Sequence, residues 1–222
     1  MMAGRPFADR VSKRRLPSGT LAVLTNPHAP TATIAGTLRA GPAFVADGRF
    51  SVPGLTAAML DRGTVNLGRM ELARELEDHG LQLGVRASAA TPTIVSFSAQ
   101  GLAEELPRMG RLTVEVLRRP TFPSEELDKL REQVLGGLAR ERQETHALAF
   151  AALTRRLFPD GHPLSRRPIE AREREVASLS RDDLVTFHDT AYGPSSLVLA
   201  VVGDVDPAAV EALFAEAMNG WE

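Results

Sequence analysis

The 222-residue sequence contains no cysteine, so neither a disulfide nor a thiolate metal site can form. One Trp and one Tyr offer few rings on which the bases of a single-stranded nucleic acid could stack. No apolar run approaches the ~18 residues of a membrane-spanning helix, and no signal peptide is visible at the N-terminus. The net charge of -2 gives no overall attraction to nucleic acid or to an anionic membrane. These absences favour a globular domain, but they do not decide between a cytoplasmic and a periplasmic location.

The sequence also lacks the short motifs of several enzyme classes. It has no G-x-S-x-G of a serine hydrolase and neither G-x-x-x-x-G-K-[ST] nor G-x-G-x-x-G for phosphate binding. Its five histidines include no pair at i, i+4 spacing: His28, His79, His146, His162 and His188. We expect His79 to end a helix, His162 to form a hydrogen bond within a loop, and His188 to lie on a charged helix face.

Lysine is scarce, because only Lys13 and Lys129 occur among the 26 basic residues. This arginine bias is typical of a GC-rich bacterial genome. The first fifteen residues are polar and basic, so we predict an N-terminal arm over 1–15 and a single α/β domain over 16–222.

Hydrophobic periodicity predicts an α+β fold. Alternating segments over 20–25 and 31–39 predict two strands joined as a hairpin, and 81–90 with 93–99 predict a second antiparallel pair. The flat apolar run 196–202 predicts a strand at the centre of the sheet. Helical segments lie between and after these pairs, without the regular alternation of a doubly wound fold. The order predicts two layers, with helices packed on one face of a mostly antiparallel sheet.

One predicted helix, which begins near Ser124, carries Gly136 and Gly137 in its interior. Each glycine costs a helix roughly 1 kcal/mol relative to alanine. We expect close helix packing that excludes larger side chains at these positions. The alternative is a surface that the backbone of a bound peptide can approach.

Six phrases occur in order along the chain: L-P-S-G-T-L-A-V-L (16–24), T-L-R-A-G (37–41), P-G-L-T-A-A-M-L-D-R-G-T (53–64), L-R-R-P-T-F (117–122), G-H-P-L-S-R-R-P (161–168) and L-V-L-A-V-V-G-D-V-D-P (197–207). Together they resemble the α/β domain of the M16 family of zinc metallopeptidases. That family includes the pitrilysins, insulin-degrading enzyme, and the mitochondrial processing peptidases with their cytochrome bc1 core relatives. The resemblance covers nearly everything from Leu16 onward. It implies the two-layer fold of the LuxS/MPP-like metallohydrolases.

Active members of this family carry His-x-x-Glu-His on the helix that matches residues 53–64, and a further glutamate ligand on a later helix. The two histidines bind zinc, and the glutamate between them is the general base. The matching positions here are Gly54, Ala57 and Ala58, and the later ligand region is at Gly136 and Gly137. None of these side chains can bind a metal or move a proton, so the resemblance predicts a zinc-free chain without catalytic residues.

The resemblance also implies a partner. M16 peptidases pair a zinc-bearing half with a half that has lost the motif, and the two close like a clamshell around a peptide. The chain resembles the first domain of such a non-catalytic half. We expect a catalytic half with zinc, in the same longer chain or as a separate subunit, and a peptide in the shared chamber. Two alternatives remain at this point: a scaffold like the bc1 core proteins without a peptidase role, and an unrelated metal site built from scattered His, Asp and Glu.

Overall fold

The computed structural model describes residues 10–16, 18–45, 47–88 and 90–221. The strands are β1 (Val11–Arg15), β2 (Thr20–Thr25), β3 (Thr31–Leu38), β4 (Gln82–Ala87), β5 (Val95–Leu102) and β6 (Val198–Gly203). The helices are α1 (Val52–Met59), α2 (Arg69–Asp78), α3 (Leu106–Arg118), α4 (Ser124–Glu141), α5 (Thr145–Leu157), α6 (Ile169–Ser178), α7 (Arg181–Ala191) and α8 (Pro207–Ala217).

The six strands form one sheet in the order β1-β2-β6-β3-β5-β4. Only the β2–β6 pair is parallel, and the other four pairs are antiparallel. The predicted position of 196–202 at the centre of the sheet is therefore confirmed, as is the antiparallel pairing of β4 with β5. The predicted α+β class with a mostly antiparallel sheet is confirmed as well.

The predicted hairpin between β2 and β3 is wrong, because β6 lies between these two strands. Val202 of β6 is paired with Leu24 on one side and with Thr33 on the other. The connection over 26–30 therefore passes across the end of β6 and spans two strand spacings, about 10 Å. Local alternation identifies strands, but it does not identify which strands are neighbours.

One face of the sheet carries the core. Leu21, Ile34 and Val201 are fully buried under the helices, whereas Val198 and Val202 on the opposite face are 52 % and 39 % exposed. The helices α1, α3 and α8 contact β4, β5 and β2 respectively. The helical layer thus covers one face, as the order of elements predicts.

The predicted arm over 1–15 is wrong for its last part. Val11–Arg15 forms the edge strand β1, whose residues pair with β2 from Val11 opposite Leu24 to Arg15 opposite Thr20. Its basic side chains suit an exposed sheet edge, because charges there oppose pairing with other chains. Residues 1–9 lie outside the described residues.

Candidate functional site: a cleft at the lost zinc motif

The motif positions lie on α1, a short helix with Pro53 in its first turn, where a missing backbone N–H is tolerated. Most of its side chains are buried. Gly54 and Ala58 are the partly exposed positions, and they lie on one helical face because they are four residues apart. Ala57 is buried, with 1 % of its surface exposed.

Gly54 and Ala58 open into a cavity of about 310 Å³ between α1, α4 and α6, which we call the motif cleft. Its lining is Ser51, Gly54, Leu55, Ala58, Leu130, Val134, Leu138, Arg172 and Val176. Most of these side chains are apolar. The cleft therefore offers a small apolar surface where the resemblance places the zinc of active relatives.

The motif cleft does not fit a zinc ion. Zinc sites in proteins use imidazole nitrogen, thiolate sulfur or carboxylate oxygen, and the lining contains none of these groups. Its only charged side chain is Arg172, a cation that disfavours a metal ion. Across the part of the chain that the structure describes, no group of three or more His, Asp or Glu side chains could hold a metal ion.

Gly137 of α4 is on the cleft side of its helix, because it is three residues after Val134 and seven after Leu130, which both line the cleft. A Cβ atom added at Gly137 would meet nothing within 4 Å, and one added at Gly136 would meet only the Arg140 guanidinium at 3.9 Å. The expectation of close helix packing at these two glycines is therefore wrong. A Cβ atom at Gly54 would also meet open space.

The N-terminus of α1 is held by a carboxylate from α6. The backbone N–H of Ser51 donates to Glu175 Oε1 at 2.7 Å. The Glu175 side chain is 5 % exposed and is also paired with the Arg167 guanidinium. A buried carboxylate needs such partners, and a helix N-terminus favours negative charge. Glu175 thus fixes the entrance of α1 against α6.

The C-terminus of α1 is held by Arg62. Its Nε donates to the carbonyl of Ala58 at 3.1 Å, and its Nη1 donates to Glu126 Oε2 on α4 at 3.2 Å. Glu126 also accepts hydrogen bonds from Lys129 at 2.8 Å and from Arg69 at 2.5 Å. The hydrogen bond from Lys129, together with that from Arg69, lowers the pKa of Glu126 from 4.5 to about 2. This ion cluster ties the end of α1 to α4.

A third carboxylate joins α4 to α6 at the rim of the cleft. Glu141 accepts two hydrogen bonds from Arg172, at 2.7 and 3.0 Å, and one from Arg166 at 2.9 Å. The hydrogen bond from Arg172 is the main cause of the lowered pKa of Glu141, and Arg166 adds to it. Arg172 is therefore held in place by an ion pair and does not reach into the cleft as a free cation.

No pattern in the sequence indicates the roles of these three carboxylates. Arg62 and Glu126 are 64 residues apart, and Arg172 and Glu141 are 31 apart. Ion pairs at such separations leave no periodic pattern. Only the position of Arg62 directly after the motif helix is a local signal, and its meaning depends on the packing of α1 against α4.

Thr56, next to the motif position Ala57, is fully buried. Its hydroxyl has no hydrogen-bond partner among the described residues. A buried hydroxyl without a partner costs about 1–3 kcal/mol. Within α1, this side chain is a local source of instability.

The histidines are spread over the molecule. His79 ends α2, and Leu164 donates to His162 Nδ1 at 3.1 Å within a loop, so both of these predictions are confirmed. His188 does not lie on a charged face. Its ring is buried, with Nε2 at 2.9 Å from the Leu117 carbonyl and the plane stacked on Tyr192. Asp183 and Asp189 on the same helix favour a charged surface position, but the packing of α7 turns His188 inward.

Comparison with known proteins bears on this site. The model of the family described as "Peptidase M16 inactive domain" matches residues 178–222. The mitochondrial-processing peptidase subunit beta of Lentinula edodes is 26 % identical over 199 residues, which are 84 % of this chain and 39 % of that protein. The "Non-peptidase homolog YmxG" of Helicobacter pylori is 27 % identical over 152 residues, 68 % of this chain and 34 % of that protein.

Solved structures share the fold. A peptidase M16 inactive domain from Pseudomonas fluorescens has a TM-score of 0.83 at 23 % identity, covering 93 % of this chain and 50 % of that one. The periplasmic protease PqqL from Escherichia coli has a TM-score of 0.80 at 19 % identity, covering 99 % of this chain and 25 % of that one. The chain spans less than half the length of the Lentinula edodes and Helicobacter pylori relatives. No helix in the described ranges is long and apolar enough to cross a membrane.

The family model matches the last part of the chain, the curated relatives extend the match over most of the sequence, and the solved structures show the same fold. Together with the six phrases, these matches show that the chain is similar to M16 peptidases over most of its length and, over residues 178–222, to the inactive domain of that family.

Proposed function

We propose that the chain is a non-catalytic domain of an M16 peptidase, which forms one wall of a peptide chamber and docks to a catalytic half. The single observation that carries this proposal is the motif cleft. Gly54 and Ala58 present an open apolar surface, and the resemblance to active relatives locates their zinc ligands at these two positions. No side chain in this cleft can act as a zinc ligand or as a general base, so catalysis belongs to another polypeptide segment.

The lengths of the relatives support a partner. The chain covers half of the Pseudomonas fluorescens structure and a quarter of the Escherichia coli protease. Each of those proteins therefore contains more polypeptide than this domain supplies. We propose that the complement includes a half with His-x-x-Glu-His, in the same polypeptide or as a second subunit. Zinc belongs to that half.

A second candidate is a scaffold or assembly protein with no peptidase role. The similarity to the Helicobacter pylori protein described as a non-peptidase homolog favours it. Both candidates need the same stable fold and the same zinc-free cleft. They differ in whether a catalytic half binds this chain.

The test uses the purified chain and the M16 half with His-x-x-Glu-His that is encoded nearest to it. After incubation with excess zinc and dialysis, plasma mass spectrometry of the chain alone is expected to find almost no zinc. The two polypeptides together are expected to form a complex that holds one zinc ion and cleaves a fluorogenic peptide library. One zinc retained by the chain alone would refute the proposal, and a chain that binds no catalytic half would favour the scaffold.

A matched variant calibrates the metal measurement. In Gly54→His/Ala58→His, two imidazoles lie on one face of α1, and the open space beside Gly54 accepts the new side chain. This variant is expected to retain more zinc than the natural chain, because it restores two of the ligands. A signal from the variant and none from the natural chain would show that the assay detects zinc in this cleft.

A further inference from the structure

A second cavity, of about 380 Å³, lies beside the motif cleft and shares Ser51 and Arg172 with it. Its apolar walls include Phe50, Phe150 and Phe158. The volume falls within the usual range for a binding pocket, about 300–1,000 Å³, and walls of aromatic side chains are typical of such pockets. We call it the arginine-lined cavity, because Arg166, Arg167 and Arg172 are also part of its lining.

The three arginines carry one positive charge more than their carboxylate partners. Arg166 and Arg172 share Glu141, and Arg167 is paired with Glu175. Burial and the nearby charge of Arg172 lower the pKa of Arg167. The two carboxylates therefore leave a positive potential inside an apolar cavity, where an additional anion would be attracted.

The segment around the cavity is also basic. Residues 145–168, which include α5 and the loop before α6, contain four arginines and one aspartate, a net charge of +3 in a chain of net charge -2. Phe150 in the same segment lines the cavity and is 50 % exposed, so a side chain of a partner can reach the aromatic wall from solvent. A partner for this cavity needs an apolar side chain and negative charge together.

We propose that the arginine-lined cavity binds an acidic peptide, with an aromatic or branched apolar side chain of the peptide between Phe50, Phe150 and Phe158 and a neighbouring carboxylate at Arg166. The apolar walls bind the side chain by removing it from water. Arg166 shares its carboxylate partner Glu141 with Arg172, so its guanidinium can supply a charge-assisted hydrogen bond, which is stronger than a neutral one. The proposal rests on the proposed function only in that the ligand is a peptide.

In the test, the ¹⁵N-labelled chain alone is titrated with peptides, and its amide chemical shifts are recorded at each peptide concentration. The probes are acetyl-Glu-Phe-Leu-Glu-amide, its glutamine analogue acetyl-Gln-Phe-Leu-Gln-amide, and acetyl-Glu-Ala-Ala-Glu-amide. The first peptide is expected to shift the amides of Phe50, Phe150 and Arg166 and to bind about tenfold more tightly than either analogue, as the loss of one charged hydrogen bond or one buried ring predicts. Equal affinity for the glutamine analogue, or shifts confined to another surface, would overturn the proposal.

Two pairs of variants control for structure. Phe150→Ala is expected to weaken binding about tenfold, whereas Leu153→Ala, an equally exposed residue of the same helix outside the cavity lining, is expected to leave it unchanged. Arg166→Gln leaves Glu141 paired with Arg172 and is expected to weaken the acidic peptide alone; Arg156→Gln, an exposed arginine outside the lining, serves as its control. Equal losses in the two members of a pair would refute the assigned site.

The source of the anion is also tested. Decanoate offers the same combination of apolar body and carboxylate without a peptide backbone. If decanoate binds as tightly as the acidic peptide, the cavity is a site for free amphipathic acids and the peptide proposal is wrong. Because the catalytic half is absent from this titration, a negative result here leaves the docking proposal standing, and a failure to dock leaves this result standing.

Discussion

Replacing the two interior glycines of α4 by alanine is expected to stabilise the protein. Gly136 and Gly137 lie well inside the 18-residue helix, at least four residues from its C-terminal end. A glycine in a helix interior costs about 0.8–1.0 kcal/mol relative to alanine, because it loses more backbone entropy on folding. The cost is recovered only where the new methyl group has room.

Both positions have room. The added Cβ at Gly137 meets nothing within 4 Å, and that at Gly136 meets only the flexible end of Arg140 at 3.9 Å. We therefore expect about 1 kcal/mol for each substitution and about 2 kcal/mol for Gly136→Ala/Gly137→Ala. For a domain of this size the double variant should unfold about 4–8 °C higher. Urea denaturation, monitored by circular dichroism, should show the same gain as a higher midpoint concentration of urea with an unchanged m-value.

Gly110 in α3 is the matched control. It is also an interior helical glycine, but a Cβ there would lie 2.8 Å from Leu213 Cδ2 and 3.5 Å from Phe214 Cζ. The helical gain is then offset by displacement of Leu213, so Gly110→Ala is expected to be neutral or destabilising. If the α4 variant fails to gain stability, or if Gly110→Ala gains as much, the inference that α4 borders open space is wrong.

Three further predictions concern buried polar groups around α1. Thr56→Val keeps the shape of the side chain and removes its unpartnered hydroxyl, so the free energy of unfolding should rise by about 1 kcal/mol; a loss in urea denaturation would mean that the hydroxyl has a partner. Glu175→Gln should lower it by roughly 2–4 kcal/mol, because Arg167 loses its ion-pair partner inside the protein, and an unchanged midpoint would contradict the buried pair. Glu126, whose pKa is lowered from 4.5 to about 2 by Lys129 and Arg69, stabilises the fold fully above pH 4.5 and loses this contribution as the pH falls towards 2. The stability difference between the natural chain and Glu126→Gln should therefore shrink over that interval, and a constant difference would show that Glu126 is not ionised in a cluster.

The sequence predicted the elements of the fold better than their arrangement. The run over 196–202 predicts a central strand because it is flat and apolar and lacks the charged side chains typical of an exposed sheet edge. In the structure, the capping box of Ser180 and Asp183 begins α7, and the side chain of Asp206 caps α8. Helix caps depend on residues that are close in the sequence, and the sequence therefore shows them directly.

The errors concern distant contacts. The insertion of β6 between β2 and β3 joins residues almost 180 positions apart, so no local pattern predicts it. The burial of His188 likewise depends on the packing of α7 against Phe122 and Tyr192. At the site, the resemblance located Gly54, Ala57 and Ala58 on one helix, but the carboxylates that hold this helix in place became visible only with the structure.

The glycines beside the motif cleft link stability to function. Because alanine at Gly137 gains helical stability and meets no steric barrier, glycine there is not required by packing. An open surface on α1 and α4 lets a peptide backbone approach more closely than side chains would allow. Gly137→Ala should therefore stabilise the chain and, in the complex with a catalytic half, raise the KM for a peptide with little change in kcat. Gly136→Ala, one residue away and turned from the cleft, should stabilise without this effect. A KM unchanged in both variants would mean that the substrate does not reach the cleft, and the wall that this domain contributes to the chamber would have to lie on another face.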